Sequence, residues 1–186
     1  MELFDAINSR ISAGRLAEPG PTPEQVQLLL EAGGHAPDHG RMKPWRFTVV
    51  DGAARDGFAT AVAEARRARL PDMTDDQMVA ERDKIRRSPT IIVVGCAVRK
   101  DNPKVPEIEQ VVAVGAAVQN MFLAAHAMGY GVMWKTGPAA YDAGVKAAVG
   151  LNPEDHIVAI LHLGTRINRA PPAPAPRSYG PATKPL

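Results

Sequence analysis

The chain predicts an α+β sandwich, in which long helices alternate with few strands. Two stretches carry that reading. Residues 90–98 are apolar at almost every position, which marks a central strand covered on both faces. Residues 108–128 follow a helical pattern that is apolar nearly all round, broken by Gln119, Asn120 and His126, so no face of this helix suits water. At 186 residues a single domain buries roughly two thirds of its unfolded surface. The expected covers for such a helix are the sheet on one side and a second copy of the chain on the other. Neither an internal repeat nor a second-domain boundary interrupts residues 1–167.

The elements follow in order. Leu3, Phe4, Ile7 and Ile11 are spaced for a short first helix that ends near Gly14. Pro19, Pro21 and Pro23 separate it from a second helix, whose start combines a Thr22 hydroxyl at the N-cap, Pro23 at the first helical position and Gln25 at the third. Val26, Leu28, Leu29, Leu30 and Ala32 form its buried side, and it must end before Pro37. Residues 45–50 suit a strand closed by the turn Asp51-Gly52. Two helices, 53–70 and 74–87, carry most of the charge; their polar faces read as solvated surface and are assigned no chemistry. Ser88-Pro89 ends that region. After the apolar strand and the long helix come strands at 130–134 and 157–163, with a helix at 139–149 between them. From Asn168 onward six prolines and no periodicity predict an extended arm or disordered tail over residues 168–186.

Composition excludes several function classes. Apolar residues at 45% and charged residues at 23%, with 16 Gly and 17 Pro, describe a folded chain rather than a disordered one. Residues 91–98, as long an uninterrupted apolar run as the chain has, fall far short of the about 20 that cross a bilayer. Glu2 and Asp5 stand where a secretory leader would be basic, so a cytoplasmic protein without a membrane span is expected. The single Cys96 excludes an intrachain disulfide and a multi-cysteine zinc site, and its place in an apolar strand predicts a buried, inert thiol. A net charge of +2 argues against nucleic acid as a partner. Its distribution is uneven, because no acid follows Asp155 while Arg166, Arg169, Arg177 and Lys184 do, an end suited to a phosphate or to an acidic face of a partner.

Walker A, GxSxG, HExxH and EF-hand patterns are absent, and the GxG at Gly129 and Gly131 lacks its third glycine because Trp134 stands there. None of the four serines, at positions 9, 12, 88 and 178, has a nucleophile's setting. His35 and His39 are spaced like a metal pair on one helical face, but Pro37 removes that helix and only Asp38 is near; no metal is expected, and surface, capping or ligand-contact roles remain. What is left suits a flat, anionic ligand. Arg10 and Ser12 end the first helix, Lys43 follows the Gly40-Arg41 turn, Trp134, Lys135 and Thr136 leave one strand, and Arg166 ends another. Ligands gather at such loops, and arginine offers phosphate a forked donor.

These segments, taken as written, resemble the flavin-binding blocks of the nitroreductase family. Asn8-Ser9-Arg10-Ile11-Ser12 with Arg15-Leu16, then AGGHAPDH at 32–39, then Lys43-Pro44-Trp45-Arg46-Phe47, GYGVMWKTG at 129–137 and HLGTR at 162–166 match in order and spacing over nearly the whole chain. A small subgroup of that family fits the length and the APDH block best. The resemblance implies a mainly antiparallel sheet flanked by helices, and a homodimer with FMN at the interface. It implies FMN contacts from Arg10, Ile11 and Ser12, with Arg10 countering the phosphate, and from His35 and His39 of the partner chain. Trp134, Lys135 and Thr136 would border the isoalloxazine, and Arg166 would be a second phosphate contact. Ala124, Ala125, His126, Ala127, Met128 and Gly129 would lie in the segment assigned to the nicotinamide nucleotide. The implied activity is ping-pong hydride transfer from NADH or NADPH through the flavin N5 to nitroaromatic, quinone or similar flat acceptors. No catalytic side chain is assigned, because the flavin carries the chemistry.

The chain departs from the family pattern at several of these positions. Ile11 stands where a second arginine is common, His35 where the subgroup has arginine, Lys43 where glutamine is usual, and Lys135-Thr136 in place of an Arg-Ser pair. Lys135 would restore positive charge near the flavin N1 and O2 and favour the anionic reduced form. A flavin-binding protein without turnover, serving storage or sensing, is the alternative that the altered contacts leave open.

Overall fold

A computed structural model describes residues 1–167; the tail expected over 168–186 lies outside the described residues. The elements are α1 (Leu3–Ser9), β1 (Leu16–Ala17), α2 (Pro23–Gly34), β2 (Trp45–Val50), α3 (Ala54–Arg69), α4 (Asp75–Arg86), β3 (Thr90–Cys96), α5 (Glu107–Ala127), β4 (Gly131–Lys135), α6 (Ala143–Ala148) and β5 (His156–Arg166), with short 3-10 turns at His39–Arg41 and Pro138–Tyr141. Every strand pairing is antiparallel. β5 organises the five-stranded sheet: β3 pairs along it and carries β2 on its far side, β4 pairs with Ile160 to Gly164, and β1 pairs with Thr165 and Arg166.

The two faces of β3 show why this is a sandwich. All seven of its residues are buried. Ile92 and Val94 face α2 and α5 in a core with Leu29, Val118, Met121 and Leu161. Ile91 and Val93 face the other way, against Phe58 and Val62 of α3, Val145 of α6 and Ile160. The period of two along the strand therefore divides one strand between two helical layers. Cys96 is enclosed at the strand's end, where burial and nearby carboxylates push its thiol up to about 11.

Several boundaries differ from the sequence expectation, each for a local reason. α1 stops at Ser9 rather than near Gly14, because the following segment crosses β4 and Ala13 donates its N–H to the Val132 carbonyl at 2.8 Å. The helix expected over 139–149 divides at Asp142, whose carboxylate caps α6 by accepting from the N–H groups of Gly144 and Val145 at 2.9 and 3.2 Å. β3 ends at Cys96 because the Val98 N–H is taken by Asp155, at 2.9 Å. β1, two residues long, is too short to leave a periodic signal. α2 begins as expected, with Thr22 and Gln25 satisfying each other's N–H groups at 2.9 and 3.3 Å.

α5, 21 residues long, is by length and composition apolar enough to cross a membrane. In this fold it is the central helix: Val114, Val118, Met121 and Ala125 are buried against the sheet and α2. Its other side keeps Ile108 and Val112 exposed at 66% and 63%. Phe4 of α1 and Leu28 of α2, the latter expected in the core, are also exposed. The chain's own elements thus leave several large apolar side chains uncovered, Ile108 and Val112 among them side by side on one groove.

Candidate functional site

The break after α1 builds one corner of the site. Arg10 emerges from the helix with its guanidinium 4.7 Å from the centre of the Phe122 ring on α5, a stacked cation–π contact. His126, one turn further along α5, places Nε2 2.8 Å from the Ser9 hydroxyl. At the end of β5, Arg166 donates from its guanidinium to the Ile11 carbonyl at 3.4 Å. Burial, then the charges of Arg166 and Arg10, hold the His126 imidazole below its ordinary range. Arg10, Ile11, His126 and Arg166, far apart in sequence, therefore meet in one cationic corner, with Ser12 next along the chain.

Beside the corner lies a cleft of about 440 Å³. One wall is the crossing segment at Gly14 and Arg15, another is the end of α4 with Lys84, Arg87 and Ser88, and the floor is β4 and β5 with Lys135 and His162. Gly131 lets the crossing segment come so close: a Cβ there would stand 2.7 Å from Leu16 Cδ2 and 2.9 Å from Ala13 Cβ. A neighbouring cleft of about 490 Å³ shares Lys84, Lys135 and His162 and adds Thr136 with Arg66 and Arg69. Partial desolvation and the charge of Lys84 lower the Lys135 pKa; Glu81 works the other way, and Arg87 adds a smaller lowering. His162, 2% exposed, rests Nδ1 2.7 Å from the Ser88 hydroxyl, and burial followed by the Lys135 charge pushes its pKa down to about 3.

The electrostatics of this region are unbalanced. Lys84 shares Glu81 with Arg66, at 2.7 and 2.6 Å. Among the described residues no carboxylate pairs with Arg10, Arg15, Arg87, Lys135 or Arg166. Five cations without acids around one cleft and its corner form a field made for an anion.

Other expected residues stand elsewhere. Trp134 alternates to the opposite side of β4 from Lys135 and donates its indole N–H to the Val158 carbonyl at 3.1 Å, so it braces the strand from behind. His39 pairs with Glu109 in the first turn of α5. His126 lies 17 residues further along that helix, about 25 Å away at 1.5 Å per residue. His35 caps the end of α2, exposed. One chain therefore does not bring His35 or His39 to the cationic corner. Ala124 to Gly129 form the last turn of α5 and its exit, where Ala125 has no exposed surface and the N–H groups of Met128 and Gly129 bond back into the helix at 3.0 Å each. A helix C-terminus carries negative partial charge and offers little to a nucleotide phosphate; only His126 of this segment joins the corner. Among the described residues no three metal-ligating side chains gather.

Of the residues that line the cleft, the sequence gives no individual role to Arg15, Lys84, Arg87, Ser88 or His162, although Arg15 and His162 fall inside the family blocks. Helical period alone makes Lys84 and Arg87 solvated surface of the charged helices, whereas the end of α4 faces the cleft. His162 did leave a signal, as a polar residue inside a strand that is otherwise apolar on both faces.

Comparison with known proteins bears on the same fold and site. The Nitroreductase family profile matches residues 16–165. The chain is 40% identical over 168 residues, 89% of its length and 88% of the relative's, to the Escherichia coli K12 protein named "Putative NAD(P)H nitroreductase YdjA". It is 29% identical over 87% of its length and 83% of the relative's to the Bacillus subtilis protein named "Putative NAD(P)H nitroreductase YfhC". A nitroreductase-like family protein from Bacillus cereus shares the fold with a TM-score of 0.84 at 23% identity, over 100% of this chain and 96% of that one. A Desulfovibrio desulfuricans structure described as a "putative nitroreductase in complex with FMN" aligns over 100% of this chain and 98% of its own with a TM-score of 0.75 at 26% identity. Residues, fold and relatives converge, and the chain belongs to the nitroreductase family.

Proposed function

We propose that the chain is an FMN-dependent oxidoreductase that draws on NADH or NADPH and reduces flat acceptors such as nitroaromatics or quinones, working as a homodimer. The observation that carries this reading is the set of five cations without carboxylate partners among the described residues, Arg15, Arg87 and Lys135 lining a cleft of about 440 Å³ and Arg10 and Arg166 in the corner beside it, a volume in the range of cofactor pockets. The names of its relatives and the FMN in the Desulfovibrio structure support the same cofactors. The residues present fit the group. Bound there, FMN would supply the hydride chemistry between nicotinamide and acceptor.

The protein's part is binding and electrostatics. Arg10 and Arg166 hold the phosphate at the corner, with Ile11 and Ser12 completing the turn around it. Lys135, Thr136 and their backbone border the ring system, and Trp134 fixes that loop through its bond to Val158. Lys135, whose ammonium is destabilised by its surroundings, gains most from a neighbour that becomes negative on reduction. The exposed apolar face of α5 at Ile108 and Val112, which lines a groove of about 320 Å³ beside His39, is where a second copy packs. In that arrangement His35 and His39 reach the partner's flavin. Of the segment 124–129, Ala127 and Gly129 are the exposed positions left for the nicotinamide nucleotide.

The test is the visible spectrum of the purified protein followed by anaerobic addition of NADH and then NADPH. A flavin band that bleaches is the expected result. A band that persists with both nucleotides would point to a flavin-binding protein without turnover, and a colourless protein that refuses added FMN would overturn the reading.

A further inference from the structure

His162 is a neutral hydrogen-bonding group among cations, and it lines both clefts. It stands on β5 opposite Met133 of β4, on the face of the sheet toward α3 and α4. Ser88, the residue that follows α4, holds the ring from behind with its hydroxyl 2.7 Å from Nδ1. That contact decides the tautomer. Ser88 is itself buried, and among the described residues its hydroxyl has no other partner. If Nδ1 carried the proton, the Ser88 hydroxyl hydrogen would be buried without an acceptor, which is the arrangement proteins avoid. The hydroxyl therefore donates to Nδ1, and the ring's hydrogen sits on Nε2.

Nε2 has no protein partner among the described residues, yet it is not sealed in. The only enclosed side-chain nitrogen or oxygen left unpartnered among those residues is Arg82 Nε. Nε2–H accordingly opens on the cleft. Burial and the Lys135 charge keep the imidazole neutral, so it supplies a directed donor whose strength, unlike that of the surrounding ammonium and guanidinium groups, does not depend on ionic strength.

We propose that His162, oriented by Ser88, contacts the bound flavin through an Nε2–H hydrogen bond from the floor of the cleft and stabilises its reduced form. This rests on the FMN reading above. Reduction makes the flavin's ring nitrogens and oxygens richer in electron density, so a fixed N–H donor favours the reduced over the oxidised ring.

The experiment compares wild type, His162→Phe and Ser88→Ala, each loaded with FMN and equilibrated under nitrogen with a redox dye of known potential. His162→Phe is expected to shift the reduced-to-oxidised ratio about tenfold toward oxidised, a potential about 30 mV more negative for a two-electron couple. Ser88→Ala, which leaves the imidazole but releases its orientation, is expected to shift it less and in the same direction. Because a buried ring is being replaced, wild-type protein labelled with 15N-histidine gives an independent measurement. Adding FMN should move the Nε2–H resonance of His162, one of five histidines, and riboflavin should do the same. Flavin bound by the wild type with that resonance unmoved, or with equal potentials in all three proteins, would overturn the role of His162 and leave the FMN reading intact. A wild type that binds neither FMN nor riboflavin would overturn both.

Discussion

Removing the guanidinium of Arg10 separates phosphate recognition from every other contribution to flavin binding. The side chain is held in place before any ligand arrives, stacked 4.7 Å from the Phe122 ring, and has no carboxylate partner among the described residues to give up. Binding a phosphate there requires little reorganisation, so Arg10→Ala should lose a full charge-assisted hydrogen bond, about 1.5–3 kcal/mol. That is about 10- to 150-fold in Kd, at 1.4 kcal/mol per tenfold. Arg10→Lys should lose less, because charge survives while the fork and the stacking do not. Titrating apo-protein with FMN and, separately, with riboflavin, followed by quenching of flavin fluorescence, isolates the effect: FMN should weaken by this factor and riboflavin, which lacks the phosphate, should be unaffected. An equal loss for both ligands would mean that the substitution disturbs the ring site or the fold, and an unchanged FMN affinity would remove Arg10 from the site.

Three further outcomes follow from the same structure. Gly131→Ala should lower stability by about 1–3 kcal/mol, or about 2–10 °C in Tm, and weaken FMN binding, because its Cβ would meet Leu16 and Ala13 at 2.7 and 2.9 Å; unchanged melting would show that the crossing segment can shift freely. Val112→Asp should turn a dimer into a monomer in sedimentation equilibrium with little change in the monomer's own stability, since the position is 63% exposed; a stable dimer in the variant would move the interface away from α5. His162 is pushed down to about 3 in the fold, whereas in the unfolded chain it titrates near 6.5. Below about pH 6.5 the unfolded state binds the proton that the fold refuses, so stability is complete above that pH and falls as pH drops toward 3, by at most about 1.4 kcal/mol per unit. Urea unfolding between pH 7 and 4 should show that slope, and His162→Gln should reduce it; equal slopes would mean the imidazole charges within the fold.

The elements closest to expectation are those whose signal is local. Thr22, Pro23 and Gln25 specify a helix start through their own backbone partners, and the unbroken apolar run of β3 announces a strand covered twice. The helices over 53–70 and 74–87 were legible to within a residue or two, yet their function was not. A charged residue at Lys84 or Arg87 has the same helical period whether it faces water or a ligand cleft, and only the placing of the end of α4 beside the cleft that Lys135 and His162 also line distinguishes the two. The split at Asp142 was hidden for a related reason, since a capping carboxylate inside a helical pattern looks like one more polar position until its bonds to Gly144 and Val145 are seen.

By itself the sequence determined the layers of the sandwich, the cationic residue types and, through five ordered motifs, the family. These depend on periodicity, on composition and on short segments that read the same in any context. The tertiary structure decided which cations meet. It put Arg10 over Phe122 and Arg166 against Ile11, turned Trp134 to the far side of β4, set His39 about 25 Å along α5 from the corner, and buried His162 with Ser88 under the cleft. Charge proximity, burial and hydrogen-bond direction depend on distances between residues remote in the chain, and those distances exist only after antiparallel pairing has brought β1 and β4 to β5.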